Sequence, residues 1–587
     1  MSHAYRLAYS DGWIYCVGKD ALLKVLIRMP GAAKLNTQDG TPCIAIPANR
    51  AAFMTAEALA APVSVTKEYS DAREEVMGYT GPELEAIQRA LDAPGNFKRK
   101  LLPHQLAACR FTLNRRGIIN ASEQGTGKTT YGWAMAYLWG AKRTLIICPK
   151  SLMGTWRSEW DALWNGTKPM GLALFDEGTK SQRRERLRYQ GMIARDSHPA
   201  TCVVNYEVAA DMEKAILTYR PDCVILDESF RVKNHEAKST QAITTICDQA
   251  AHVLLLTGTP VGNNGVADLY SQLRMLGADL VPDTYWSFVA RFSVMEQKNI
   301  GVRTVSKPVG LADPVGLMQL LEPVWFRATK ETCLQLPPKQ HHIVKLPLHP
   351  EVQAWYDAVE KDGECVLGNV LSLSSNRVVN IRLHQICGGH LPQFAQGERP
   401  DEEPLKDSGV NDPTLLANST YRMVPVPCNK VEWLREFAED RLKDTPSARA
   451  IVWVRYNTER ARIFSELGGL LGETRVAEVW GATKNNELEK IKESFNSRDE
   501  DGVQVIVAQV KKMAFGHNLQ AADSHIFFSN DWSYVTRVQA EDRSHRMGRE
   551  GGIDYYDLLI DSTVDEDIKE ALDKHSDFAD RVARGTV

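Results

Sequence analysis

No stretch of the 587-residue chain approaches the ~20 apolar residues that cross a bilayer, and the N-terminal MSHAYRLAYSDGW lacks the charged-then-apolar layout of a signal peptide. No Cys-x-x-Cys pair occurs among its eleven scattered cysteines, which argues against a disulfide framework and for reduced thiols in a cytosol-like compartment. Neither sign of charge dominates. The 70 basic and 74 acidic side chains leave −4, so bulk charge does not hold the chain on nucleic acid, and only a local basic groove stays open. There is no repeat of fixed period. What is present, 43% hydrophobic and 25% charged residues, is ordinary for a soluble folded protein and excludes wholesale disorder. The length predicts two to four domains.

Short apolar runs alternate with helical patterns. RTLIICP (143–149), ATCVVNY (200–206), DCVILDE (222–228) and HVLLLTGTP (252–260) form one set; RAIVWVRY (449–456), VQVIVAQV (503–510) and SHIFFSND (524–531) form another. Runs without alternation suit strands buried on both faces, as in parallel sheets covered by helices. The expectation is an α/β chain with two lobes, 96–345 and 346–587, the second opening with a helical protrusion and polar linker (346–428) before its core at 429–587. Residues 1–65, with strand-like YRLAY, WIYCVG and CIAIP, predict a small α+β domain followed by a linker at 66–95. Residues 265–330 and 350–388 read as mainly helical insertions. Residues 391–428, rich in Pro, Asp, Glu, Ser and Asn, read as an exposed loop.

Three segments carry chemistry. Ser122-Glu-Gln-Gly-Thr-Gly-Lys-Thr129 lies between an apolar stretch and a helical one, where a Gly-rich turn aims backbone N–H groups at phosphate oxygens. Lys128 would reach the β- and γ-phosphates and Thr129 would place its hydroxyl on Mg²⁺. Ser122 stands where the general pattern has its first glycine. About 100 residues on, DCVILDES puts Asp227 and Glu228 at the end of a buried strand, one carboxylate for Mg²⁺ and the next for the attacking water. Arg543 and Arg546, three apart in QAEDRSHRMGR, predict one helical face that could stabilise γ-phosphate charge.

With these residues the chain resembles superfamily-2 helicase-like motors, and among them the Swi/Snf-type double-stranded DNA translocases, over roughly residues 96–575. Leu102-Pro-His-Gln105-Leu is similar to their adenine-reading motif, CPKSLMGTWRSEW (148–160) to motif Ia and VVNYE (203–207) to motif Ib. Asp227-Glu-Ser-Phe-Arg231-Val-Lys-Asn234 resembles motif II, LLLTGTPVGNN (254–264) motif III, Phe515-Gly516-His-Asn518-Leu519 motif V, and SNDWSYVTRVQAEDRSHRMGR (529–549) motif VI. The resemblance implies two RecA-like lobes with ATP between them and duplex DNA across both. It implies Gln105 at adenine; Gly125, Thr126, Gly127, Lys128, Thr129 and Thr130 around phosphate and metal; and Asp227 on Mg²⁺ with Glu228 as base. It further implies Thr257, Gly258 and Thr259 in coupling, Gly516 in signalling between lobes, and Gln539, Arg543 and Arg546 at the γ-phosphate. Three departures stand out: Phe230 where the family has His, Gly262 where it has Gln, and Arg549 where Gln is common.

The expected activity is that of an ATP- and Mg²⁺-dependent DNA translocase remodelling forks, branches or protein–DNA complexes. Double-stranded or branched DNA is the expected partner, with replication or repair proteins besides, no membrane, and a monomer in a bacterial or phage-infected cytosol. The alternatives are a strand-separating or branch-migration helicase and a weakly catalytic ATP-switched scaffold, the latter favoured only by Phe230. Residues 1–65 resemble the small domain preceding the motor in HepA-related annealing helicases, through Ile27-Arg-Met-Pro30-Gly31, Ile46-Pro47 and the helix-like 50–61; a β-rich accessory domain is the plain alternative. Lys180, Arg183, Arg184, Arg186 and Arg188 are a candidate DNA-facing cluster or a solvated helix face. His384-x-x-Cys387-x-x-His390 has metal-like spacing but only three ligands, and the resemblance places a packed helix and turn there, which weighs against zinc. Trp156, Trp160 and Trp164 recur at the spacing of a buried helix face.

Overall fold

The computed structural model describes residues 5–10, 13–18, 27, 32–37, 41–48, 63–69, 72, 82–92, 97–164, 168, 170–195, 198–300, 303–334, 336–362, 364–367, 370–373, 379–394, 421–513, 518–546, 549 and 551–584. The chain forms two compact units, 1–335 with 575–587, and 336–574. Among the described residues no helix is long and apolar enough to cross a membrane.

The apolar runs of the first unit become a seven-stranded sheet in the order Trp325–Phe326, Gly117–Asn120, His252–Leu256, Cys223–Asp227, Arg143–Cys148, Ala200–Asn205, Gly171–Leu174. Every pairing is parallel. Successive side chains of a strand point to opposite faces, and the core divides accordingly. Ile118, Ile146, Ile225 and Leu254 pack with Phe111, Trp133, Trp156 and Trp160, whereas Ile119, Leu145, Val224 and Val253 pack with Ile216, Ile243, Leu273 and Leu317. Unbroken apolar runs therefore serve two helical layers at once. The tryptophan spacing is explained here: Trp156 and Trp160 lie on the helix Met153–Leu163 and Trp164 just follows it, all buried.

The second unit carries a six-stranded parallel sheet ordered Lys339–Leu346, Ile553–Ile560, Ser524–Phe527, Ala450–Val454, Val505–Gln509, Val476–Val479. Both sheets are covered by helices, giving two α/β lobes. Lys339–Leu346 departs from the expected boundary at 345/346. Its alternating KQHHIVKL pattern makes an edge strand with one partner, Ile553–Ile560, so the chain changes unit at 335/336.

Three insertions differ from expectation. Within 265–330, helices at Tyr270–Leu276, Tyr285–Phe292 and Pro314–Leu321 flank an antiparallel hairpin, Ser293–Ile300 with Arg303–Leu311. Its β-branched residues and Pro308 disfavour a helix interior. Within 350–388, a second hairpin, Glu364–Leu367 with Val370–Leu373, separates the helices Pro350–Asp362 and Val379–Cys387. The expected loop at 391–428 has strands at its ends, His390–Phe394 paired with Tyr421–Pro425; its middle, 395–420, lies outside the described residues.

At the N-terminus a five-stranded sheet runs Ala33–Asn36, Pro42–Pro47, Trp13–Gly18, Tyr5–Ser10, Val63–Val65, antiparallel except for its last pair. Leu7, Ile14, Cys16, Ile44 and Ile46 form its core together with Tyr69 and Val315. The expected helix at 50–61 lies outside the described residues; the expected linker at 66–95, described at 66–69, 72 and 82–92, carries instead the helix Pro82–Leu91, whose Ile87 and Leu91 pack into the core of the first unit.

Candidate nucleotide site

Strand Gly117–Asn120 ends at a residue whose side-chain oxygen accepts the Ser122 N–H at 3.1 Å, which starts the turn of the following loop. Gly125 and Gly127 adopt φ of 84° and 82°, a region that L side chains avoid. At Gly127 a Cβ would also run into Gln105 Nε2. The helix Lys128–Leu138 begins at once, so its first N–H groups, without intrahelical acceptors, border the loop. Lys128 Nζ folds back and donates to the carbonyls of Ser122 at 2.7 Å and Glu123 at 3.0 Å. Thr126 Oγ1 donates to the Glu123 carbonyl at 2.8 Å, and Thr129 is half-buried in the first helical turn.

Gln105 sits in the first turn of the helix Pro103–Leu113. Its Oε1 accepts the Leu102 N–H at 2.9 Å, and its Nε2 donates to the carbonyls of Thr126 at 3.3 Å and Gly127 at 3.1 Å. The amide is thus a brace for the phosphate loop, alongside any part in reading adenine. His104, which sequence reasoning passed over, places Nε2 2.8 Å from the Thr126 carbonyl; since a carbonyl only accepts, Nε2 carries the proton. Burial pulls the His104 pKa down against that bond. Thr130, expected among the nucleotide contacts, turns its hydroxyl to Glu159 Oε1 at 2.5 Å and so ties this helix to Met153–Leu163.

Asp227 and Glu228 emerge from the carboxyl end of Cys223–Asp227, two strands away from the loop strand. Asp227 is buried; Trp156 Nε1 donates to its Oδ2 at 2.8 Å, and Tyr206 OH to its carbonyl at 2.7 Å. Burial, then the neighbouring Glu228 charge, push the Asp227 pKa well above the usual carboxylate range, with Trp156 and Lys128 opposing. Glu228 adopts φ 54°; its Oε1 accepts from Gln124 Nε2 at 3.4 Å, while Oε2 is buried without a hydrogen-bond partner. Two crowded carboxylates with an unmatched buried oxygen fit a divalent cation, for which Asp227 and Thr129 are the candidate ligands.

Between the two strands lies His252–Leu256, whose following turn meets the loop. Thr257 N–H donates to the Asn120 carbonyl at 3.1 Å, and a Cβ on Gly258 would stand 2.8 Å from Gln124 Cγ and 3.5 Å from Lys128 Nζ. Thr259 N–H donates to Thr257 Oγ1 at 3.2 Å. Past Glu228, Ser229 Oγ donates to Gln272 Oε1 at 2.9 Å, and Gln272 Nε2 donates to the carbonyls of Pro260 at 2.9 Å and Asp268 at 3.0 Å. The acidic segment and the Thr-Gly-Thr turn are therefore joined through Gln272, which no sequence motif had singled out.

In the second unit, helix Tyr534–Glu541 is capped by Ser533 and ends before the two arginines, so Arg543 and Arg546 lie in the turns that follow and not on one helical face. Arg543 Nε donates to the Gln539 carbonyl at 2.7 Å and Arg546 Nε to the Asp542 carbonyl at 3.0 Å. Gln539 Oε1 is buried without a hydrogen-bond partner. Lys339 Nζ lies 3.3 Å from Asp542 Oδ1 and 3.7 Å from Glu541 Oε2; burial opposes its charge, but these carboxylates outweigh it and raise its pKa. Arg549, the third departure, donates to the carbonyls of Gln520, Gly551 and Gly552 and to Asp523 Oδ1 at 3.2 Å, which ties segment 518–523 to the arginine segment. Gly516 lies outside the described residues.

The basic cluster divides on the helix Lys180–Ile193. Lys180, Arg184, Arg186 and Arg188 are exposed and Arg183 half-buried; Lys180 pairs with Asp211, and Arg186 donates to the Leu174 carbonyl beside the Phe175 ring. His384 and Cys387 are buried in a network in which His384 Nε2 lies 3.5 Å from Asp565 and Cys387 Sγ meets Thr563 Oγ1 at 3.5 Å. Among the described residues no three potential ligands converge on a metal position.

The first unit thus brings together a Gly-rich loop with its lysine, a strand-end carboxylate pair and a Thr-Gly-Thr turn packed on the loop. The chain belongs to the SNF2-related domain family, whose model matches residues 49–388, and a helicase conserved C-terminal domain matches 429–548. It is similar to the lymphoid-specific helicase of Homo sapiens, 24% identical over 507 residues covering 77% of this chain and 58% of that protein. It is also similar to the ISWI chromatin-remodeling complex ATPase ISW1 of Saccharomyces cerevisiae, 25% identical over 501 residues covering 82% of this chain and 40% of that protein. The chain thus spans about half the length of these relatives. Among solved structures, the Sulfolobus solfataricus SWI2/SNF2 ATPase core in complex with dsDNA aligns at 21% identity and TM-score 0.35, covering 82% of this chain and 92% of that one.

Proposed function

We propose that the chain is a DNA-stimulated ATPase, a double-stranded DNA translocase that remodels forks, branches or protein–DNA complexes. The observation that carries the reading is the packing of Gly258 against both Gln124 and Lys128, beside Asp227 and Glu228: phosphate loop, acidic pair and coupling turn meet at the carboxyl ends of three neighbouring strands. In this reading the loop N–H groups and Lys128 hold the β- and γ-phosphates, and Glu228 orients and deprotonates the water that attacks in line. Thr129 and Asp227 would hold Mg²⁺, which supplies charge neutralisation on the phosphate oxygens when bound. Gln539, Arg543 and Arg546 are the residues that, by the resemblance in sequence, would act at the γ-phosphate. DNA is the partner, and the sequence similarity to remodelling ATPases supports it.

The test is steady-state ATP hydrolysis by wild type and Lys128→Ala, alone and with duplex, forked and single-stranded DNA or RNA. Duplex or fork stimulation that disappears in Lys128→Ala is the expected result, and the fork-to-duplex ratio distinguishes a remodeller from a plain translocase. A low rate indifferent to every nucleic acid overturns the reading.

A further inference from the structure

Behind the arginine segment lies a buried chain of hydrogen bonds that joins Leu519 and Ser544, from motifs V and VI, to Trp453 and His525, which no motif contains. Trp453 on Ala450–Val454 and His525 on Ser524–Phe527 belong to paired strands; Trp453 lies opposite Phe527, which makes it the diagonal, same-face neighbour of His525. Both are fully buried, as is Ser544 between Arg543 and His545. Trp453 Nε1 donates to His525 Nδ1 at 3.0 Å, His525 Nε2 lies 2.8 Å from Ser544 Oγ, and Ser544 Oγ donates to the Leu519 carbonyl at 2.6 Å.

The donors and acceptors allow one arrangement. The indole can only donate, so Nδ1 carries no proton. The Leu519 carbonyl can only accept, so the single hydroxyl proton of Ser544 is spent on it. The remaining contact needs a proton from Nε2. His525 is therefore the neutral Nε2–H tautomer, and an imidazolium would set an N–H against the indole N–H. Burial, and then the charges of Lys339, Arg549 and Arg537, also hold the His525 pKa well below its ordinary value. The chain of bonds ends on the arginine segment itself: Leu519, which accepts from Ser544, returns its own N–H to the Arg543 carbonyl at 3.2 Å.

We propose that His525 is a positioning residue for Arg543, setting the backbone of the arginine segment through Ser544 and Leu519 and thereby the rate of the hydrolytic step. The proposal rests on the reading of the chain as an ATPase that uses Arg543. It assigns a catalytic consequence to a side chain that touches no substrate.

The experiment has two arms on the full chain. In the first, ¹⁵N-histidine-labelled protein is observed by long-range ¹H–¹⁵N correlation, with the His525 signals assigned by their loss in His525→Gln. The Nε2–H pattern is expected; an Nδ1–H or doubly protonated ring overturns the proposal. In the second, kcat and KM for ATP are measured with saturating duplex DNA. Ser544→Ala and His525→Leu should each lower kcat about 10–100-fold with KM within about twofold, the scale of a displaced catalytic group. The double variant should be no worse than either single one, and His525→Gln, which restores an N–H towards Ser544, should recover most of the rate. A lowered melting temperature with unchanged kcat in Ser544→Ala would mark the chain of bonds as fold support alone and overturn the proposal. Wild type no faster than Lys128→Ala would overturn the ATPase reading and the role of His525 with it, while the spectrum still reports the tautomer.

Discussion

The ring of Phe230 occupies the space that a side chain at position 262 would need: a Cβ on Gly262 would stand 2.7 Å from both Phe230 Cε2 and Cζ. Two departures from the family pattern, read separately in the sequence, are thus one packing solution. Lys233 Nζ lies 4.0 Å from the centre of the same ring, Gly262 N–H donates to Asp268 Oδ2 at 2.9 Å, and Asn264 Nδ2 donates to Asp268 Oδ1 at 3.0 Å. A ring-on-backbone contact, supplemented by Ser229 and Gln272, joins the acidic segment to the turn that follows Leu256.

Gly262→Ala should therefore destabilise the chain by about 1–3 kcal/mol, the usual cost of overpacking. In a Phe230→Ala background the same change should cost less, with a coupling of about 0.5–3 kcal/mol. Urea unfolding of the four proteins checks this, and strictly additive effects would show that the contact is not the cause.

Glu228→Gln should retain ATP binding while hydrolysis falls about 10²–10⁴-fold, the loss that the general-base role proposed for Glu228 entails. Because Glu228 crowds Asp227, the same change should raise the melting temperature in Mg²⁺-free buffer. A melting temperature that drops would place the orphan oxygen of Glu228 in a structural bond.

Glu459 predicts a pH effect. It accepts from Ser529 Oγ at 2.6 Å and from the N–H groups of Arg455 and Tyr456 at 3.1 Å, yet burial outweighs these bonds and pushes its carboxyl up to about 7. The folded chain keeps a proton that the unfolded chain releases near 4.5. Stability thus falls as pH rises from about 4.5 to about 7 and is level above, a loss on the order of 3 kcal/mol. Glu459→Gln, which stays neutral, should gain that much on wild type between pH 5 and pH 8 in chemical unfolding. A constant difference would show that Glu459 titrates normally.

Lys180, Arg184, Arg186 and Arg188 are all exposed on the basic helix, but Lys180 and Arg186 are held by Asp211 and the Leu174 carbonyl, so reversing Arg184 and Arg188 should reduce the log–log salt slope of duplex binding by about 2. Reversing Lys180 and Arg186, which are held by Asp211 and the Leu174 carbonyl, should change stability more than slope. Equal slopes in both variants would remove this helix from the DNA surface.

The sequence by itself determined the two parallel sheets and the order of the nucleotide motifs. Continuous apolar runs bury both faces of a strand, and a phosphate loop needs glycine, lysine and threonine at consecutive positions. Such signals are local, and the chain states them in order. Local pattern misjudged the hairpins at 293–311 and 364–373 and assigned the strand 339–346 to the wrong lobe, because strand pairing is settled by a distant partner. What only the tertiary structure decided are relations between residues far apart in sequence. Phe230 against Gly262, Trp156 on Asp227, Gln105 under Gly127 and the line from Trp453 through His525 to Ser544 all arise where crossovers bring strand ends together, and packing density leaves each side chain one place to stand.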